Sequence, residues 1–212
     1  MEEDFNLEKC ITTLRNKREI FHSEADFQFA LAWEIQLAYP EAVVHLEYCP
    51  KAMPNMHIDI VVFLGSKSYP IELKYKTARL DLDIGSEAYA LKAHYGQDLG
   101  KYDCLLDIQR IESMRDLMQG FAKGYAVWLT NDLLYLKTPS KSNAFYREFS
   151  VHEGSEKSGL MSWDEKTGEG TIKGRAEPIV LCGNYAINWK PYSTVEAKRN
   201  GAFYYALIEV NK

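Results

Sequence analysis

The stretch from His57 to Lys76, HIDIVVFLGSKSYPIELKYK, constrains the fold more than any other part of the chain. It divides into two apolar strands, one alternating through Ile58, Ile60 and Val62, the other through Tyr69, Ile71, Leu73 and Tyr75. Gly65-Ser66 stands between them, and a two-residue turn with glycine first is a favoured way to close a hairpin. With that turn Leu64 faces Lys67. Counting outward sets Asp59 opposite Glu72 and His57 opposite Lys74, and strand alternation puts Glu72 and Lys74 on one face.

Carboxylates opposed across a ladder, with Cβ atoms roughly 4.5–5.5 Å apart, repel each other. A divalent cation would remove the repulsion, because hard cations take carboxylate oxygens as ligands. Lys74 beside them would hold and polarise a water or a phosphate oxygen. Two carboxylates, a lysine and a metal are the parts needed to hydrolyse a phosphodiester. Glu-x-Lys alone is weak, expected about once in a chain of this size and composition, and Glu196-Ala-Lys198 is a second copy. That copy lies in a polar run before Asn200-Gly201, without an apolar strand or an upstream Asp. The competing reading of the first copy is a surface hairpin with its charges in water. The apolar residues on its other face argue that at least one side is buried.

The 212 residues suffice for one core, or a core with an appended lobe. The acidic N-terminus lacks the apolar stretch of a signal peptide, and no run approaches the ~18 apolar residues of a transmembrane helix, so no membrane partner is expected. Cys10, Cys49, Cys104 and Cys182 are scattered without a C-x-x-C, which favours reduced thiols in a cytoplasmic protein over a disulfide framework or a zinc site. The net charge of −5 runs mildly against a nucleic-acid binder, whose footprint is normally basic.

Residues 1–20 read as a short helix with Phe5, Leu7, Ile11 and Leu14 on its apolar side. Ser23 is a good N-cap with Asp26 three residues on, and the helix it starts runs to Tyr39 before Pro40. Glu24 falls on that helix's apolar stripe. An acid in the first turn usually complements the helix dipole; the functional reading is a third carboxylate leaning over the hairpin. Residues 42–48 form a strand, Thr77 to Gly85 a polar loop with Arg79, Asp81 and Asp83, and helix signals resume from Ser86. Gln97 and Lys101, four apart on one helix face, could reach the site or a substrate phosphate. Tyr125 to Thr130 is an apolar strand, with Leu133 to Lys137 returning beside it. This order suggests an α/β or α+β arrangement of helices around a mixed sheet.

From Pro139 short strands are expected at Phe145–Val151, Gly159–Trp163, Gly170–Lys173, Pro178–Leu181, Tyr185–Trp189 and Phe203–Val210, a β-rich lobe or sheet extension. Lys137, Lys141, Arg147, Lys173, Arg175, Lys190, Lys198 and Arg199 are interleaved there with Tyr146, Trp163, Trp189 and Tyr192. Basic residues among aromatics could track a phosphate backbone and stack on bases; the plainer reading is a solvated surface over an aromatic core.

Glu24 on a helix, Asp59 on one strand and Glu72-Leu73-Lys74 on the next resemble the PD-(D/E)xK nuclease superfamily, over roughly Phe21 to Tyr135. The resemblance implies a restriction-endonuclease-like mixed sheet flanked by helices. Its expected parts are an N-terminal helix at 1–20, a nuclease core at 21–137 and a β-rich extension at 138–212 packed on the core. It also implies Mg²⁺, with Mn²⁺ as a substitute, held by Asp59, Glu72 and the Leu73 carbonyl with help from Glu24, while Lys74 orients the attacking water. His57, Gln97 and Lys101 become auxiliary candidates, and Lys76 and Arg79 substrate-binding ones. Asp59 follows His57-Ile58 without the proline that names the motif. Gln97 and Tyr102 resemble the Gln…Tyr pair of the RecB-like branch, one residue too far apart.

The function expected is therefore a metal-dependent nuclease acting on DNA, in a prokaryotic defence or repair setting. The alternatives are a catalytically silent nucleic-acid- or protein-binding module on the same fold, and a hydrolase of another phosphoester. No G-x-S-x-G elbow, P-loop or G-x-G-x-x-G occurs, which removes serine hydrolases, P-loop NTPases and Rossmann enzymes. The oligomeric state is left open, a homodimer included.

Overall fold

Strands β2 (Ile58–Leu64) and β3 (Lys67–Lys76) pair antiparallel with Leu64 opposite Lys67, closed by Gly65 at φ +58°, in a computed structural model describing residues 5–140, 144–170, 172–197 and 199–212. Lys141 and Lys198, read above as part of a basic set, lie outside the described residues. So do residues 1–4 of the first helix and Thr171 of one expected strand.

Helices α1 (Leu7–Arg15) and α2 (Glu24–Ala38) precede β1 (Val43–Tyr48). Both start on side-chain caps: Asn6 Oδ1 accepts from Lys9 N at 3.0 Å, and Ser23 Oγ accepts from Asp26 N at 3.1 Å. After β3 come β4 (Leu80–Ile84), β5 (Glu87–Leu91), α3 (Gln97–Leu117) and β6 (Lys123–Thr130). A 3₁₀ turn at Arg147–Phe149, then β7 (Ser155–Met161), β8 (Ile179–Ile187), β9 (Trp189–Thr194) and β10 (Ala202–Asn211) complete the order.

The central sheet has six strands in the order β1-β2-β3-β6-β10-β9, with β3 and β6 parallel and the other pairs antiparallel. The parallel pair requires a crossover, which α3 supplies. α1 and α2 cover one face, packing Leu31 and Ile35 over Ile60, Ile71, Leu73 and Val127. α3 and the β7–β8 pair cover the other, with Ile108 and Ile111 against Val61, Ala126 and Trp128. The fold is thus mixed α/β, and β9 and β10 continue the central sheet beyond β6.

Several sequence expectations are corrected. Residues 77–85 contain β4, and the helix expected from Ser86 begins only at Gln97, after β5. Gly85-Ser86 closes β4 and β5 with Ile84 opposite Glu87 and φ +61° at Gly85, the same device as Gly65-Ser66. The outward Asp81 and Asp83 make this hairpin look like a polar loop. Gly100 marks close packing, since a Cβ there would lie 2.0 Å from Tyr135 Oη. Leu133–Lys137 is a turn, held by Leu134 N donating to Asp132 Oδ1 at 3.0 Å, and β10 takes the edge of β6 instead. Residues 145–151 hold a 3₁₀ turn, 170–173 hold no strand among the described residues, and β8 runs unbroken across 179–187.

The alternation expected through Ile58, Ile60 and Val62 also breaks. Ile60 and Val62 pack on the α1/α2 side, but Ile58 packs on the α3 side. Strand β1 inverts at the same level: Tyr48, opposite Ile58, joins the α3-side core, while Val44 stays on the α1/α2 side. Between them Glu47 has φ +50°, in the left-handed region, at an expected cost of about 1–3 kcal/mol.

Candidate active site

The double inversion turns Asp59 out of the ladder. The β2–β3 pairs run only from Leu64/Lys67 to Ile60/Ile71, and Asp59 Oδ2 accepts instead from Leu73 N at 2.6 Å. His57 is consequently not paired opposite Lys74; its carbonyl accepts from Arg110 on α3. Gln28 on α2 donates to the Asp59 carbonyl at 2.7 Å and to Glu47 Oε1 at 2.8 Å, tying the helix to both inverted strands. Gln28→Ala removes that donor, and an unsatisfied carbonyl costs about 1–3 kcal/mol. The expected melting temperature is lower by several degrees; an unchanged one would show that water serves the carbonyl equally well.

Glu72 is 1% exposed. Its Oε1 lies 3.0 Å from Arg110 Nε, out of line for a hydrogen bond, and Oε2 likewise lacks a hydrogen-bond donor. Burial, then the charges of Asp107 and Asp59, push its pKa well above the usual carboxylate range, against the pull of Arg110 and Lys74. Lys74 Nζ sits 2.9 Å from the Leu73 carbonyl and 2.9 Å from Asp107 Oδ2. Burial works against its charge, yet Asp107, Glu24 and Asp59 outweigh it and hold the lysine's pKa above the ordinary value. Asp107 is itself pushed up to about 7, chiefly by burial. Glu24 closes the site from α2, its Oε2 accepting from Tyr75 N at 2.6 Å.

A buried polar atom without a partner calls for an explanation. The donors here are carboxylate and carbonyl oxygens, the set preferred by a hard divalent cation. Glu72 offers two oxygens without hydrogen bonds, while Asp59 and Glu24 each have only one oxygen engaged by a backbone N–H. Among the described residues no three His, Cys, Asp or Glu side chains are gathered into a ready-made metal cage. The donor chemistry is of the kind a hard cation takes, but these acids are not preassembled around one point.

Beside Glu24 a cavity of about 410 Å³ is lined by His22, Lys76, Lys92 and His94. His94 Nδ1 accepts from Thr77 N at 3.0 Å, which leaves Nε2 to carry the hydrogen. Lys76 therefore joins the site's surroundings. Arg79 does not: it is exposed and paired with Asp81 at 2.8 Å. Gln97 donates to Asp132 at 2.9 Å, and Lys101 lies over the Tyr146 ring at 4.8 Å. At 1.5 Å per residue they stand roughly 15 and 9 Å along α3 from Asp107. Tyr102 donates to the Glu177 carbonyl and is buried, so it makes no pair with Gln97.

Of the aromatics that could stack on bases, three serve the core, and Tyr146 is half-buried beneath Lys101. Trp189 and Tyr192 are buried, and Trp163 packs on Tyr102 and Phe149. Arg175 is engaged by Asp103 at 2.6 Å and Lys190 by Glu8.

Sequence reasoning missed Asp107, Arg110, Gln28 and Glu47. Asp107 was findable: Cys104, Asp107, Ile111 and Met114 form the buried stripe of α3, and an acid on such a stripe is the signal that singled out Glu24. No protein-family model, curated protein or solved structure matches this chain.

Proposed function

We propose that this chain is a metal-dependent phosphodiester hydrolase of the PD-(D/E)xK type, acting on nucleic acid, with DNA the expected substrate. The observation that carries the reading is the buried Glu72 carboxylate without a hydrogen bond, set among Asp59, Asp107 and Lys74. The order helix, three antiparallel strands, a separate β4–β5 hairpin, helix, parallel strand (α2 to β6) supports it, as does the backbone break that frees Asp59.

Asp59, Glu72 and the Leu73 carbonyl would hold Mg²⁺ or Mn²⁺ with Glu24 assisting, and the cation would offset charge on the phosphate and the leaving oxygen. Lys74, fixed between the Leu73 carbonyl and Asp107, would orient the attacking water. Asp107, with a pKa of about 7, can take a proton from that water near neutral pH, while Lys74 stays charged. Arg110 lies 3.0 Å from Glu72 and, released from it, would pair with a substrate phosphate.

One observation favours the silent-module reading: Glu72 and Asp107 each already have a basic partner, Arg110 and Lys74. Two measurements separate the readings. Linear, circular and single-stranded DNA and RNA are incubated with Mg²⁺, Mn²⁺ or EDTA, and cation-dependent cleavage is expected. Mg²⁺ should also raise the melting temperature, more at pH 8 than at pH 5, because ligand carboxylates must lose protons to bind. No cleavage and no cation-induced stabilisation would leave the silent module.

A further inference from the structure

Helix α2 is apolar on two sides. Phe27, Leu31 and Ile35 are buried against the sheet. Phe29, Trp33 and Leu37, spaced four apart on the opposite side, are 62%, 58% and 52% exposed. An all-round apolar helix is normally a buried one. We propose that this outer stripe is a homodimer interface in which two copies of α2 pack antiparallel about a two-fold axis at Trp33.

The spacing is self-complementary. In that arrangement Trp33 meets Trp33 of the second copy, and Phe29 meets Leu37 at both ends, the isologous pattern a two-fold axis demands. The three side chains expose roughly 350 Å² per copy, at the ~150–250 Å² a large side chain can bury. At the ~65% apolar content of homodimer interfaces, two such patches correspond to roughly 1,100 Å² buried, the lower end of specific interfaces. The helix carries no Lys or Arg, which disfavours a lipid surface, where amphipathic helices are rich in both.

The test is sedimentation velocity and light scattering on the full chain across a concentration series, beside Trp33→Glu. Wild type is expected as a dimer of twice 24.4 kDa, and the variant as a monomer with unchanged circular dichroism and a lower melting temperature that no longer depends on protein concentration. To fix the register, Phe29→Cys and Leu37→Cys chains are mixed and oxidised after the exposed Cys49 and Cys182 are changed to Ser. They should cross-link to each other in preference to themselves. A wild type monomeric throughout, or a dimer that survives Trp33→Glu, would overturn the proposal. So would a monomer that binds phosphatidylcholine–phosphatidylserine vesicles through Trp33, or cross-linking without preference for the mixed pair.

Discussion

Glu72→Gln is expected to lower Mg²⁺-dependent cleavage by ~10³-fold or more, the scale at which a site loses an essential acid–base or metal-ligating group. The same change should leave the metal-free fold intact or raise its melting temperature. Glu72 is pushed toward its protonated form by burial and by Asp107 and Asp59, and the amide keeps that neutral shape. The cost is the contact with Arg110, which is partly exposed and can turn to water. Loss of Mg²⁺-induced stabilisation should accompany loss of cleavage. Full activity in the folded variant would remove Glu72 from the site and the hydrolase reading with it.

The second large effect concerns Lys74 and is one of stability. Lys74→Met deletes the cation nearest Asp107, and breaking a buried pair from one side costs about 3–5 kcal/mol. For a chain of this length that is a fall of roughly 6–20 °C in melting temperature. The loss should appear at pH 8 and shrink toward pH 5. Asp107, with its pKa raised to about 7 in the fold, keeps a proton that the unfolded chain releases near pH 4. Stability of the metal-free wild type therefore falls as pH rises from about 4 to 7. Without Lys74 the Asp107 pKa moves higher still, and the penalty at pH 8 grows. The lysine's own raised pKa keeps it charged throughout this range, so it adds no slope. Asp107→Asn placed on Lys74→Met should restore most of the loss at pH 8. Melting curves in EDTA at the two pH values check this; equal losses at both would mean the pair is not electrostatically coupled.

The residues that could be read directly were those whose local chemistry and tertiary setting agree. The Gly65-Ser66 turn, the Ser23 cap and the apolar run of β6 each signal the element they form. Gly85-Ser86 carries the same turn signal, but β4 and β5 stand apart from the central sheet and show acids outward, so their alternation is masked. The pairing of β10 with β6 joins residues about 80 positions apart, as in Ala206 with Trp128, and no local pattern distinguishes it from a hairpin at Leu133. At the site, counting from the turn set Asp59 opposite Glu72, whereas Asp59 accepts from Leu73 N, the next residue along β3. The count could not show that Asp59 leaves the ladder, because that depends on Glu47 taking a backbone shape its own side chain disfavours. Arg110 and Asp107 arrive across the sheet from α3, a contact only the packed molecule makes.

The simultaneous inversion of β1 and β2 has a consequence for folding errors. In an ordinary hairpin a one-residue slip exchanges the two sides wholesale, and a two-residue slip restores them. Here the exchange of sides happens at one fixed level, so any slip, odd or even, strands Tyr48, Ile58 or Ile60 on the wrong side. At about 2–3 kcal/mol for each large apolar side chain left in water, such misaligned forms stay sparsely populated. The placement of Asp59 is thereby anchored by the surrounding apolar residues as well as by the bend at Gly65-Ser66.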